Sequence, residues 1–378
     1  MVFIFWLSLF LIVYAYLIYP ALMLIMVRNG RPSTISQKEL PKVSMLIAAY
    51  NEEKVIDRKI ANIRQLNYPF DKIEFLIGSD GSTDRTGEIV ASALKSNSNI
   101  RFFDLPRRGK SSTLNSLMKY AKGDIFVFSD ANTEYDPAAI MGMIRHFCDP
   151  RVGCVCGRLI LKTKDSEIGE SFYWKYETMI KKMESRVGAV VGANGAIYAI
   201  RRELANIIPE GIINDDFYLS MKIVENGYKM IYEEAAKAWE TATGSFQQEF
   251  KRHVRDATGH YQVVFKLPGL LNPFIGWPFF CYVSHRLVRW IVPACLLLLL
   301  LSNMGLLHYN DVVYQLTATM QAVYYALVLA GSVLYWNGKT IRALYIPFYF
   351  SAINLALLIG FVRWLSGQYE AKWQSSER

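Results

Sequence analysis

The stretch GSDGSTDRT at residues 78–86, with RRGKSSTLN at 107–115 and FVFSDAN at 126–132, decides the fold class of this chain. Two apolar runs, 73–78 and 125–129, lead into aspartates, Asp80 and Asp130. Short apolar runs bounded by Gly, Ser and Asp read as buried parallel strands whose carboxyl ends carry the working residues. Between them lies a helical stretch opened by a basic, glycine-containing loop. Two carboxylates at one sheet edge beside Arg107, Arg108 and Lys110 suit a divalent metal and a diphosphate, because each neutralises charge the other leaves. In outline this is a site for a nucleotide sugar.

Outward from that centre, strands and helices alternate. VSMLIAAYNEE starts a strand at about Val43 that stops at Tyr50, with Asn51 placed to cap a helix and Glu52 and Glu53 in its first turn. Helical spacing of Val55, Ile56, Ile60, Ile63 and Leu66 follows. The pattern predicts strands at 73–79, 100–105, 125–130 and 152–161, and helices near 84–95, 110–121 and 137–147. Such alternation implies an α/β, Rossmann-like, mostly parallel sheet with ligand chemistry at its carboxyl edge. No GxGxxG follows the first strand, so a dinucleotide reading has no residues to carry it.

Beyond 161 the signals are more ambiguous. A helix over 168–185 mixes Phe172, Tyr173, Trp174 and Tyr176 with Lys175, Lys181 and Lys182. It could line a sugar site, lie at a membrane surface or simply pack in the core. VGANGAIYAIRRE at 191–203 reads either as close backbone approach to a ligand or as a turn before a strand. NDDF at 214–217 opens a helix that stops at Gly227, and taken alone Asn-Asp-Asp is ordinary capping chemistry. FQQEFKRHVRDATG at 246–259 is a further helix with a basic face, either solvated or touching phosphate or headgroups.

Composition places this domain at a bilayer. The 378 residues are 52% hydrophobic with a net charge of +9, and the apolar residues concentrate at the two ends. Residues 1–27 hold no charged side chain and lack the basic start and small-residue finish of a cleaved signal, so they read as a transmembrane anchor. A linker at 28–42 carries Arg28, Arg31, Lys38 and Lys42, which favour the cytoplasmic side. The central domain spans 43–262, a proline- and glycine-broken interfacial segment 263–286, three transmembrane helices 287–365 and a tail 366–378. Lys339 and Arg342 mark one loop as cytosolic, four spans put both termini outside, and Arg363, Lys372 and Arg378 pull the last crossing the other way. Membrane-flanking basic residues also account for the positive charge, so no nucleic-acid partner is implied. Five cysteines without CxxC spacing read as reduced and structural, and the five histidines lack zinc-ligand spacing.

The ordered motifs AYNEE, SDGSTD, RRGK with TLN, SDAN, GANG with RR, and NDD resemble the membrane-bound family 2 glycosyltransferases, which include the cellulose, hyaluronan and chitin-oligosaccharide synthases. The resemblance covers roughly 43–260 and implies a GT-A fold. It implies that Tyr50 and Glu52 hold the base and ribose, that Asp80 contacts the base, and that Lys110 faces phosphate or ribose. It makes Asp130 and Asn132 the metal pair for Mg²⁺ or Mn²⁺, with Asn132 in place of the family's second aspartate. Asp216 becomes the general base, Asp215, Gly192 and Asn194 the acceptor side, and Arg255 a diphosphate ligand. In place of the processive synthases' QxxRW the chain has Arg252, Arg255 and Asp256, so the arginine is kept while glutamine and tryptophan are not.

The resulting expectation is an inverting, metal-dependent transferase in the cytoplasmic membrane with a cytosolic catalytic domain. It would move a sugar from a nucleotide-diphosphate donor, a UDP-sugar first among them, to a lipid-linked or glycan acceptor held at the bilayer, forming a β-glycoside. The alternatives are a processive synthase that secretes its polymer, for which a homo-oligomer could supply more channel wall, and a non-catalytic scaffold. Against the scaffold stand the intact Asp80, Asp130 and Asp216.

Overall fold

Seven buried residues in a row make β1 (Val43–Ala49), and the same apolar character gives β2 (Ile73–Asp80) and β4 (Ile125–Asp130). In this computed structural model the described residues are 1–27, 39–95, 98–162, 168–241 and 245–367. Most of the expected linker and tail, with Arg28, Arg31, Lys38, Lys372 and Arg378, lies outside them. β3 (Ile100–Leu105), β5 (Glu134–Tyr135), β6 (Val152–Lys162), β7 (Tyr198–Arg201) and β8 (Lys229–Thr241) complete one sheet of order β3-β2-β1-β4-β7-β6-β8-β5. The run β3-β2-β1-β4 is parallel, as the alternation predicts. β7 then enters antiparallel to both its neighbours, β6 and β8 pair parallel, and β5 closes the edge antiparallel to β8.

Helices cover both faces. On one side Ile56, Ile60 and Ile63 of the Ile56–Ile63 helix pack with Met45 and Ile47 of β1. Burying each such side chain contributes roughly 1.5–3 kcal/mol. On the other side Leu46 and Ala48 face Leu114 and Leu117 of the Lys110–Tyr120 helix, in a core that extends to Leu219 and Ile223 of the Asp215–Glu225 helix. Tyr19 and Met23 of the amino-terminal helix belong to this same core, which joins the sheet domain to the apolar helices without a break.

Three elements differ from the sequence pattern. β8 reads KMIYEEAAKAWET, residues that favour helix, and pairing along both β6 and β5 overrides that local preference. The expected 137–147 helix divides into Ala139–Ile144 and a 3₁₀ turn, Arg145–Cys148. The helix expected over 246–259 runs as Phe246–Lys266, because Gly259 is a packing position and not a stop. A side chain added there would begin 2.6 Å from Asn214 Cγ.

Among the described residues four helices are long and apolar enough to cross a membrane: Val2–Met26, Trp277–Tyr309, Val312–Trp336 and Arg342–Leu365. The 3₁₀ turns Pro268–Leu271 and Pro273–Ile275 precede the second, which starts inside the expected interfacial segment. Pro20 has no N–H for the Tyr16 carbonyl. That carbonyl accepts instead from the Tyr176 hydroxyl at 3.1 Å, which ties the Ile168–Val187 helix to the amino-terminal helix. Deeper along the same contact, Glu184 accepts from Tyr19 Oη at 2.7 Å and lies 2.7 Å from His285 Nδ1, and Glu177 pairs with Arg289. Charges this deep persist only when they are paired.

Candidate active site

Parallel register levels the ends of three strands, with Ala48 opposite Asp130 and Ala49 opposite Ser79. The basic loop crosses this edge. Asp80 is fully buried and anchors the loop: its carboxylate accepts from the Arg108 N–H at 2.8 Å and the Gly109 N–H at 2.9 Å, and pairs with the Arg107 guanidinium. Arg107 in turn lies over the Tyr50 ring, 3.4 Å from its centroid. Lys110, the first residue of its helix, is thereby aimed at the strand ends. Its Nζ is 2.7 Å from Asp130 Oδ1 and 3.9 Å from Asp215 Oδ1. Burial opposes its charge, yet Asp130 and then Asp215 raise its pKa above the ordinary lysine value.

Asp215 and Asp216 sit in the first turn of the Asp215–Glu225 helix, where the helix dipole favours negative charge. Asn214, at the N-cap, makes no side-chain capping bond and instead donates Nδ2 to the Asp256 carbonyl at 2.8 Å. Gln262 accepts from the Ile213 N–H at 3.1 Å and donates to the Gly211 carbonyl at 3.0 Å. The Phe246–Lys266 helix therefore grips the segment that enters the acidic turn. Burial raises the Asp215 pKa; burial and the Asp215 charge push Asp216 up to about 7. Asp216 faces Gly195, where a Cβ would lie 3.0 Å from its Oδ2. A carboxylate poised near neutrality at a sheet edge, beside a lysine and a second carboxylate, is arranged to accept a proton.

Residues 44–207 match the family model described as Glycosyl transferase family 2. The strands and helices that build the site thus lie largely in a segment similar to that family. It is 31% identical over 248 residues to the poly-beta-1,6-N-acetyl-D-glucosamine synthase of Staphylococcus aureus strain COL, a match covering 63% of this chain and 59% of that protein. With the synthase of the same name from Staphylococcus epidermidis the identity is 26% over 288 residues, covering 73% of this chain and 69% of that one. Among solved structures, the mannosyltransferase PcManGT from Pyrobaculum calidifontis, in complex with GDP-Man and Mn²⁺, superposes with a TM-score of 0.73 at 20% identity, over 97% of this chain and all of that one. The fold is GT-A, with the apolar helices included in the likeness.

At the strand edge Asp130 is about one-quarter exposed and Asn132 is nearly buried. Asn132 donates Nδ2 to Glu240 Oε1 at 2.8 Å, which leaves its carbonyl oxygen on the opposite side of the amide. Buried Asp215 Oδ2 has no hydrogen-bond partner among the described residues. Hard oxygens of this kind fit Mg²⁺ or Mn²⁺. Among the described residues no three His, Cys, Asp or Glu form a ready cage. That suits an ion held by one or two side chains together with substrate phosphates.

The remaining expected site residues divide. Glu52 enters through its backbone, its N–H donating to Thr86 Oγ1 at 2.8 Å. Arg255 is half exposed, 3.3 Å from Asp256, and its charge reaches Asp215. Gly192 has φ +88°, and a Cβ there would meet the Phe217 ring at 2.5 Å. Asn194 accepts from Lys181 Nζ at 2.6 Å and donates to the Gly157 carbonyl at 2.9 Å. Both shape the wall beside Asp216.

Two residues escaped the sequence reading. Lys59 is buried under the turn that carries Asp130, donating to Ser129 Oγ at 2.6 Å and the Thr133 carbonyl at 2.7 Å. Burial lowers its pKa to about 7. A lysine inside the apolar stripe Ile56, Ile60, Ile63 was the available signal. Glu240 had none, since only pairing of β8 brings it to Asn132.

Proposed function

We propose that this protein is an inverting, metal-dependent glycosyltransferase that moves a sugar from a nucleotide-diphosphate donor, a UDP-sugar first among them, to a membrane-held lipid-linked or glycan acceptor. The observation that carries the reading is the convergence of Lys110, Asp130, Asp215 and Asp216 on one strand edge, with Asp216 near neutral pKa. Tyr50, Glu52 and the Asp80-anchored loop face the nucleotide, and Lys110 and Arg255 face its diphosphate. Asp130 and Asn132 would hold Mg²⁺ or Mn²⁺, which supplies charge that stabilises the leaving diphosphate.

Asp216 takes the proton from an acceptor hydroxyl as that oxygen bonds to the anomeric carbon. The bond from that carbon to the diphosphate oxygen breaks on the opposite face, and its electron pair leaves with the nucleotide diphosphate. One displacement inverts the centre, so an α-linked donor gives a β-glycoside. Asp215, Gly192 and Asn194 shape the acceptor side. In this reading the domain lies on the cytosolic face of the cytoplasmic membrane, which the four long apolar helices support.

A processive synthase is the second reading, favoured by the names of the Staphylococcus relatives. The replacement of the QxxRW tryptophan by Asp256 favours short products. The test is nucleotide-diphosphate release by the lipid-reconstituted protein across UDP- and GDP-sugars with Mg²⁺ or Mn²⁺, beside Asp216→Asn. Release from one donor that the variant abolishes supports the transferase, and product sizing separates the two readings. Silence from every donor with lipid acceptors present would overturn both.

A further inference from the structure

Beside the acidic helix is a cavity of about 100 Å³, where the Phe246–Lys266 helix meets the Val2–Met26, Trp277–Tyr309 and Arg342–Leu365 helices. One part of its wall is polar, with Arg286, Arg289, His260 and Asp256. Another part is apolar, with Ile353 and Leu357 one helical turn apart. Farther along that helix Leu358, Phe361 and Val362 are exposed. The cavity is thus amphiphilic and continues into an apolar surface.

Its lining carries two guanidiniums, Arg286 and Arg289, and one carboxylate, Asp256. Glu177 pairs with Arg286 at 3.6 Å and with Arg289. Among the described residues, buried Arg286 Nε has no hydrogen-bond partner. An arginine within so apolar a helix marks a functional position by default. The volume has room for several waters or for a phosphate group.

We propose that this cavity seats the phosphate head of a membrane lipid, with Arg286 as its charge partner and the chain running past Ile353 and Leu357 into the hydrocarbon. The inference deepens the membrane-acceptor reading above and rests on it. The head would lie one layer from the base. Phe217, next to Asp216, packs against His260 with ring centroids 4.8 Å apart, and Arg286 also donates to the Val191 carbonyl at 3.1 Å, beside Gly192. A polyprenyl phosphate acceptor and a bulk anionic phospholipid share this chemistry.

Native mass spectrometry of the full chain, released from phosphatidylcholine nanodiscs containing either undecaprenyl phosphate or phosphatidylglycerol, tests the site without turnover. We expect one phosphate lipid retained per chain. Retention should fall roughly tenfold or more in Arg286→Gln, the loss of a charged hydrogen bond. It should fall likewise in Leu357→Trp, which fills the cavity without touching charge. Retained undecaprenyl phosphate that gains a sugar mass when donor is added identifies the acceptor; retained phosphatidylglycerol with no added mass identifies a resident lipid. Equal retention in wild type and both variants, or retention of a phosphate-free glycan in place of either lipid, would overturn the proposal. Because retention is read without donor, its failure is distinct from failure of nucleotide release.

Discussion

At the residue scale, the chemistry depends on how one carboxylate differs from its neighbour. Burial and the Asp215 charge push Asp216 up to about 7, so in its proposed role as the base it works only once ionised. Activity should rise with pH up to about 7 and fall about tenfold per unit below it, read as the pH profile of kcat/KM. Stability moves the other way: a carboxyl raised in the folded state favours folding when protonated. The metal-free protein should therefore lose melting temperature as pH rises from about 4 to about 7. Asp216→Asn should cut transfer by about 10²–10⁴-fold while donor binding, followed by calorimetry, is unchanged. Lys59→Met removes the ammonium from beneath the Asp130 turn, and Mn²⁺ affinity measured by electron paramagnetic resonance should weaken by about 10–100-fold. Unchanged affinity would mean that the turn holds its shape without Lys59.

At the element scale, the loop from Val191 to Gly195 is held between the Asp215–Glu225 helix and the membrane-type helices. The Val191 N–H donates to Glu184 at 3.2 Å and its carbonyl accepts from Arg286. Gly192→Ala should cost about 1–2 kcal/mol for the left-handed backbone and about 1–3 kcal/mol more for the clash with Phe217. Gly227→Ala shares the positive φ, at +89°, but meets nothing within 4 Å. The difference between the two variants in denaturant melts isolates the packing contribution. Comparable losses would show that Phe217 yields to the added methyl. Gly259 belongs to the same class of close approach, since it lets the Phe246–Lys266 helix reach Asn214.

At the scale of the whole molecule, the catalytic core and the apolar helices share one hydrophobic cluster and one buried ionic network. Replacing Glu177 by leucine would leave Arg286 and Arg289 without their carboxylate. A loss of about 3–5 kcal/mol should follow, measured as the detergent-solubilised melting temperature. Chelation of divalent metal should abolish nucleotide release and lower the melting temperature. Saturation at a hundred times the dissociation constant should restore about 2.7 kcal/mol. Turnover that survives chelation would remove Asp130 and Asn132 from a metal role.

The sequence by itself determined the strand-and-helix alternation through β4, the four apolar helices, and the gathering of Asp80, Lys110 and Asp130 near strand ends. Those features depend on local periodicity and on residues close to strand termini, where a short stretch contains its own explanation. Tertiary structure alone decided the reversed direction of β7, the existence of β8 with Glu240 beside Asn132, and the burial of Lys59. It also decided that Asp80 anchors the basic loop and that Asn194 is bonded within the wall. These depend on contacts between residues far apart in the chain, where pairing and desolvation outweigh the local preferences that sequence periodicity reports.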